Sequence, residues 1–303
     1  MDTTLPPVVR DRSRGDLCPG VFRPWPADDG LLVRLRLVGG QLSGTQFDSL
    51  LAVSERFGDG AVHLTRRANL QVRGLPGDQG LSAEVVAAFE STGLVPSRDH
   101  ELIRNILVSP QSGYAGGRAD LRPVATELDQ LLRADPMLGA LPGRFGFVLD
   151  DGRGDLVATP ADLGVVALDA ERGQLRIGDA WGPILSFAAV PGALVDLARK
   201  FLGTRGSGPA APWHVRELAE LLAPHAERSG EAPCATAPLA HGQVRGGVHV
   251  AAPDGILTRA ATAPLLAEPT LIVTPWRGIF VPTHDASPAA VSSKNDPSPK
   301  ENS

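Results

Sequence analysis

The chain has 303 residues, 43% of them hydrophobic, enough to bury a sizeable core in two or three units; its net charge of −5 and scattered arginines exclude a nucleic-acid footprint and a polybasic membrane patch. The opening MDTTLPPVVRDRSRGD lacks the apolar stretch of a signal peptide, and no run reaches the ~18–20 apolar residues that span a bilayer, so the expected compartment is the cytoplasm. Cys18 and Cys234 lie far apart, form no CxxC-type pair and imply no disulfide framework.

Residues 1–15 are polar and turn-rich and are expected to be disordered. LLVRLRLV (31–38) alternates as a strand does. TQFDSLLAVSERF (45–57) carries apolar residues at helical spacing and stops at Gly58, a residue that tolerates left-handed geometry. AVHLTRRANLQVR (61–73) again alternates, and SAEVVAAFESTG (82–93) predicts a helix with Ser82 as N-cap and Gly93 as stop.

Residues 104–190 predict short, mostly antiparallel strands within 144–152, 155–170 and 173–182, followed by helices at 191–202 and 213–226. GTRGSGPAAP (203–212) and ERSGEAPCATAP (227–238) are weak segments, the second an interdomain linker with a boundary near 230. A degenerate repeat links VHLTRRANLQVRG (62–74) to LIVTPWRGIFVP (271–282), suggesting a pseudo-twofold scaffold of α+β class. The tail, 283–303, is Pro/Ser/Asn/Lys-rich and is expected to be disordered.

Side chains alternate across a strand, so 61–73 divides by parity. Val62, Leu64, Ala68, Leu70 and Val72 fall on one face, broken only by Arg66. His63, Thr65, Arg67, Asn69, Gln71 and Arg73 fall on the other, a row without an acid whose arginine forks suit carboxylates. Arg34 and Arg36 share one parity of the first strand, and Arg104 and Arg144 open later strands, so these bases converge on an expected basic cleft. The seven histidines show no H-x3-H or HExxH spacing, no metal site is expected, and His63 alone joins the polar row. No GxGxxG turn or P-loop is present, and no catalytic residue is singled out.

DLCPGVFRP, DDGLLVRLRLVGG, FGDGAVHLTRRANLQVRG, RNILVSP, LPGRFGFVLDDG and VTPWRGIFVP, in this order, resemble the sulfite/nitrite reductase superfamily from Asp16 to Pro282, and the first and last resemble the precorrin-3B synthases in particular. The resemblance implies two ferredoxin-like half-domains, at 16–80 and 238–282, flanking a sulfite reductase-type α+β domain at 81–228. It implies that Arg36, Thr65, Arg67, Asn69, Gln71, Arg73, Arg104, Asn105 and Arg144 cradle the carboxylates of a tetrapyrrole. The reductases carry LPRKFK where this chain has LPGRFG, so Arg144 remains and Gly146 replaces a second base. Losing that charge weakens a pocket for sulfite or nitrite and suits a macrocyclic substrate.

The resemblance further implies a 4Fe–4S cluster and iron, held as siroheme in the reductases, and, for the synthases, oxygen-dependent hydroxylation and lactone formation on precorrin-3A. Two distant cysteines cannot ligate such a cluster. The expectation is a binding platform that ends before the cluster domain and works with a separate cluster-bearing domain or electron donor. A siroheme-dependent nitrite or sulfite reductase and a non-catalytic tetrapyrrole-binding remnant are the alternatives.

Overall fold

The computed structural model describes residues 16–208 and 210–283. The ends expected to be disordered lie outside the described residues, Thr283 excepted. The chain runs β1 (Trp25–Ala27), β2 (Gly30–Leu35), β3 (Gln41–Leu42), α1 (Gly44–Phe57), β4 (Ala61–Leu64), β5 (Leu70–Leu75) and α2 (Ala83–Ser91). A central unit follows: β6 (Ile106–Val108), α3 (Arg122–Ala134), β7 (Phe147–Asp150), β8 (Leu163–Ala167), β9 (Arg172–Ile177), β10 (Ala180–Ser186) and α4 (Val190–Arg205). The chain closes with β11 (Gly242–Val244), β12 (Gly247–Ala251), β13 (Ile256–Thr258), α5 (Arg259–Thr262), β14 (Leu271–Thr274) and β15 (Gly278–Pro282).

Local chemistry explains the helices. Ser43 caps α1 by accepting from the Gln46 N–H while the Gln46 side chain accepts from Ser43, a reciprocal capping box, and Phe47, Leu50 and Leu51 then bury one face. Gly58 ends α1 without the expected left-handed conformation; a Cβ there would meet the Arg73 carbonyl at 2.6 Å, so close approach demands the glycine. Ser82 caps α2 as expected.

Three five-stranded sheets result, ordered β1-β2-β5-β4-β13, β10-β9-β8-β7-β6 and β11-β12-β15-β14-β3. The first and third are built alike, and each lends one short strand to the other: β3 pairs with β14, and β13 with β4. The repeat seen in the sequence is thus a pseudo-twofold pair of interlocked units. Ala68 (φ 54°) and Arg277 (φ 55°) each stand three residues after a threonine, Thr65 directly following β4 and Thr274 closing β14, so both hairpins turn through the same left-handed position. That conformation crowds Cβ against the backbone. Arg277→Gly is expected to raise stability by about 0.5 to 1 kcal/mol, strain relief net of the chain entropy glycine adds, in a urea titration.

The expectation of one strand over 61–73 is corrected: Thr65 N–H donates to Asn69 O and Thr65 Oγ1 accepts from Asn69 N–H, folding the segment into the β4–β5 hairpin. The parity split does not survive the turn, where Arg66 and Arg67 both project. The central sheet is also less antiparallel than expected, since β6, β7 and β8 run parallel and only β8–β9–β10 alternate. α3 went unanticipated although Val124, Leu128 and Leu132 bury at helical spacing and Pro123 sits in its first turn. The helix expected over 213–226 is a single 3-10 turn, Val215–Glu217, in a bent segment. No helix among the described residues is long and apolar enough to cross a membrane.

Candidate anion-binding cleft

A cavity of about 390 Å³ opens where the β4–β5 turn faces the parallel edge of the central sheet. The turn supplies Arg66 and Arg67, the loop before β7 supplies Arg144, and the segment after α4 supplies His214 and Arg216. Arg67 donates to the Arg144 carbonyl at 3.1 Å, and the Arg144 guanidinium lies over Trp213, 5.4 Å from the ring centre. Among the described residues none of these four arginines forms an ion pair. Four arginines without ion-pair partners, against one acid, around a single concavity focus positive potential and favour an anion.

Burial, together with repulsion from Arg67 and Arg144, holds nearby Arg34 below the usual guanidinium range; its Nε and Nη2 donate to Gln71 Oε1 at 3.0 and 2.7 Å. Asp162, just ahead of β8, is the acid of the cavity wall; it accepts backbone N–H groups from Gly146 and Val215, both at 2.9 Å. A Cβ on Gly146 would meet little beyond the Arg144 carbonyl, so a side chain at this position would enter open space.

Of the residues expected to bind, Arg67, Asn105 and Arg144 come together here. Thr65 shapes the turn beside them. Asn69 and Asn105 are buried and act on the scaffold: Asn69 Nδ2 donates to Asn105 Oδ1, and Asn105 Nδ2 donates to the carbonyls of Leu102, Gly143 and Phe145, which pins the GRFG loop. Gln71 holds Arg34. Arg73 is turned away and paired with Asp29 at 2.9 and 3.0 Å, and His63 is likewise paired with Asp59.

Arg36 is buried, with Nη1 donating to Pro19 O and neither Nε nor Nη2 having a partner; burial pushes its pKa down to about 10. Arg104 is buried against Asp129, with Nε 2.5 Å from Oδ1, and Asp129 also accepts from Arg133. Arg36 and Arg104 line a separate cavity of about 400 Å³. Arg66, Asp162, His214 and Arg216 escaped sequence reasoning. Arg66 had signalled itself by interrupting an apolar face, whereas an expected helix hid His214 and Arg216.

A second acidic group, Asp150, Asp151 and Asp155, gathers its carboxylates within 4.8 Å at the end of β7. These oxygens are already engaged. Asp150 accepts from three backbone N–H groups, Asp151 pairs with Arg153, and Asp155 accepts from the Ser109 hydroxyl. Burial pushes the Asp155 pKa from 3.8 up to about 7. The folded state therefore binds this proton more tightly than the unfolded state, and stability should fall as pH rises from about 4 to 7. Asp155→Asn should flatten that segment of the stability profile, as measured by urea midpoints at pH 5 and pH 8.

Residues 26–80 match the nitrite/sulfite reductase ferredoxin-like half domain. A Sinorhizobium precorrin-3B synthase is 32% identical over 242 residues, which are 75% of this chain and 50% of that protein. These matches relate the chain to the nitrite/sulfite reductase superfamily. The same fold appears in the structure of the Mycobacterium tuberculosis NirA protein, which superposes with a TM-score of 0.59 at 16% identity over 85% of this chain and 56% of that one. A Leptolyngbya laminosa ferredoxin–nitrite reductase is 28% identical over 137 residues, 43% of this chain and 26% of that protein. The chain thus spans half the length of the synthase it matches and about a quarter of the reductase.

Proposed function

We propose that this chain is the tetrapyrrole-binding part of a cytoplasmic oxidoreductase of the precorrin-3B synthase type, with precorrin-3A as substrate. The observation that supports this reading is the cavity carrying Arg66, Arg67, Arg144 and Arg216 with no ion-pair partner among the described residues. Carboxylates are the side groups that such planar forks hold best, two parallel N–H···O bonds at a time. The cavity is wide enough for the carboxylate-bearing edge of a macrocycle. Gly146, where the reductases place a second base, favours this reading over a site for a small oxyanion.

The residues present do not fit a 4Fe–4S cluster. Cys18 is buried against Gly143 and Cys234 is exposed, so the four thiolates of such a cluster are not available from this chain. In this reading an electron-carrying partner or domain supplies redox chemistry, while the arginines bind and orient the macrocycle and Asn69 and Asn105 hold the loop that carries Arg144.

Fluorescence titration of the purified chain with uroporphyrin, an octacarboxylate macrocycle, tests the reading. Saturable binding that weakens as salt rises is expected. Absence of saturation would dismiss it, and tightly held siroheme absorbance in the purified protein would move the assignment to a nitrite or sulfite reductase.

A further inference from the structure

His214 Nδ1 lies 3.2 Å from both carboxylate oxygens of Asp162. A carboxylate only accepts, so this contact keeps a proton on Nδ1 and leaves Nε2 to change its state. Asp162 is itself fixed, being buried with Oδ1 on the Val215 N–H and Oδ2 on the Gly146 N–H. One carboxylate therefore ties the imidazole to the backbone of the glycine where a second base is missing. His214 Nε2 has no hydrogen-bond partner among the described residues, and the ring lines the arginine cavity.

We propose that His214, oriented by Asp162, is the switchable cation of this cavity and contacts a carboxylate of the bound macrocycle. This rests on the polycarboxylate reading of the cavity. The charged groups around His214 are Arg66 and Arg67 from the β4–β5 turn, Arg144 from the loop before β7, Asp162 just ahead of β8, and Arg216 from its own segment, where Glu217 accepts from the Trp213 N–H. A carboxylate arriving at Nε2 is held by a charge-assisted bond when the ring is an imidazolium and loses that bond when the ring is neutral. Ligand binding and protonation are therefore coupled, each strengthening the other. Where a permanent base would bind at every pH, a histidine binds when protonated and releases when neutral.

Uroporphyrin affinity of the full chain, read by fluorescence between pH 6 and pH 8.5, provides the test. The wild type is expected to bind about tenfold tighter at the acid end than His214→Gln does, and the two should converge at pH 8.5. His214→Arg should hold the tight value across the range. Asp162→Asn, which keeps the size but loses the charge, should reduce the pH dependence. Parallel pH profiles for the wild type and His214→Gln, with binding intact, would overturn the role of His214 and leave the cavity assignment standing. A wild type that does not bind the porphyrin at any pH would remove both. His214→Arg retaining a wild-type pH profile would also overturn the proposal.

Discussion

Arg67→Ala and Arg144→Ala are each expected to weaken uroporphyrin binding by about 10- to 100-fold, the effect of losing one charge-assisted contact to a carboxylate. Neither change should unfold the protein. Arg67 is exposed on the β4–β5 turn and gives up one bond to a carbonyl, and Arg144 gives up a stack on Trp213. Arg73→Ala is the contrasting variant. Arg73 neutralises Asp29 on the far side of the hairpin, and its loss should leave the affinity unchanged. Binding curves at two salt concentrations would separate these cases, since the wild type should lose affinity with salt more steeply than the two cavity variants. Equal affinities for all four proteins would show that the cavity is not where the porphyrin binds.

Asp129→Ala is expected to cost about 3–5 kcal/mol, because it strands a buried guanidinium. Arg104 is 8% exposed and directs Nε at Asp129, whose second oxygen holds Arg133. The double variant Arg104→Ala, Asp129→Ala should be less destabilised than Asp129→Ala alone, since no charge is left without its partner. Urea unfolding of the four proteins of that cycle gives the coupling directly. A single-variant loss below about 1 kcal/mol would mean that Arg104 finds another partner, with the neighbouring cavity as its nearest outlet.

Helix-forming and strand-forming stretches were legible where the signal is local. Both α1 and α2 were expected, α2 with its Ser82 cap, because an oxygen two or three residues from a free N–H needs no help from the rest of the chain; the Ser43 cap of α1 came from the structure. The resemblance of the TRRAN and TPWRG segments was also visible, and both form hairpins with the same left-handed residue. Of the residues expected around a basic cleft, Arg67, Asn105 and Arg144 line one cavity, while Arg36 and Arg104 line another. Alternation alone could not reveal the turn at Thr65–Asn69, because parity continues formally through a bend that reverses the chain.

The sequence by itself determined the α+β class, the two helices of the first unit, the internal repeat and the motifs that relate the chain to the superfamily. Each of these depends on residues near one another or on their order. Only the tertiary structure decided that β3 and β13 cross between the paired sheets, and that Arg73 and Arg104 are claimed by Asp29 and Asp129 while Arg66, Arg67, Arg144 and Arg216 have no ion-pair partner among the described residues. It also brought His214 to Asp162, 52 positions earlier in the sequence. A charge takes whichever opposite charge the folded backbone sets within about 4 Å, and that distance is fixed by packing between segments that no local period describes.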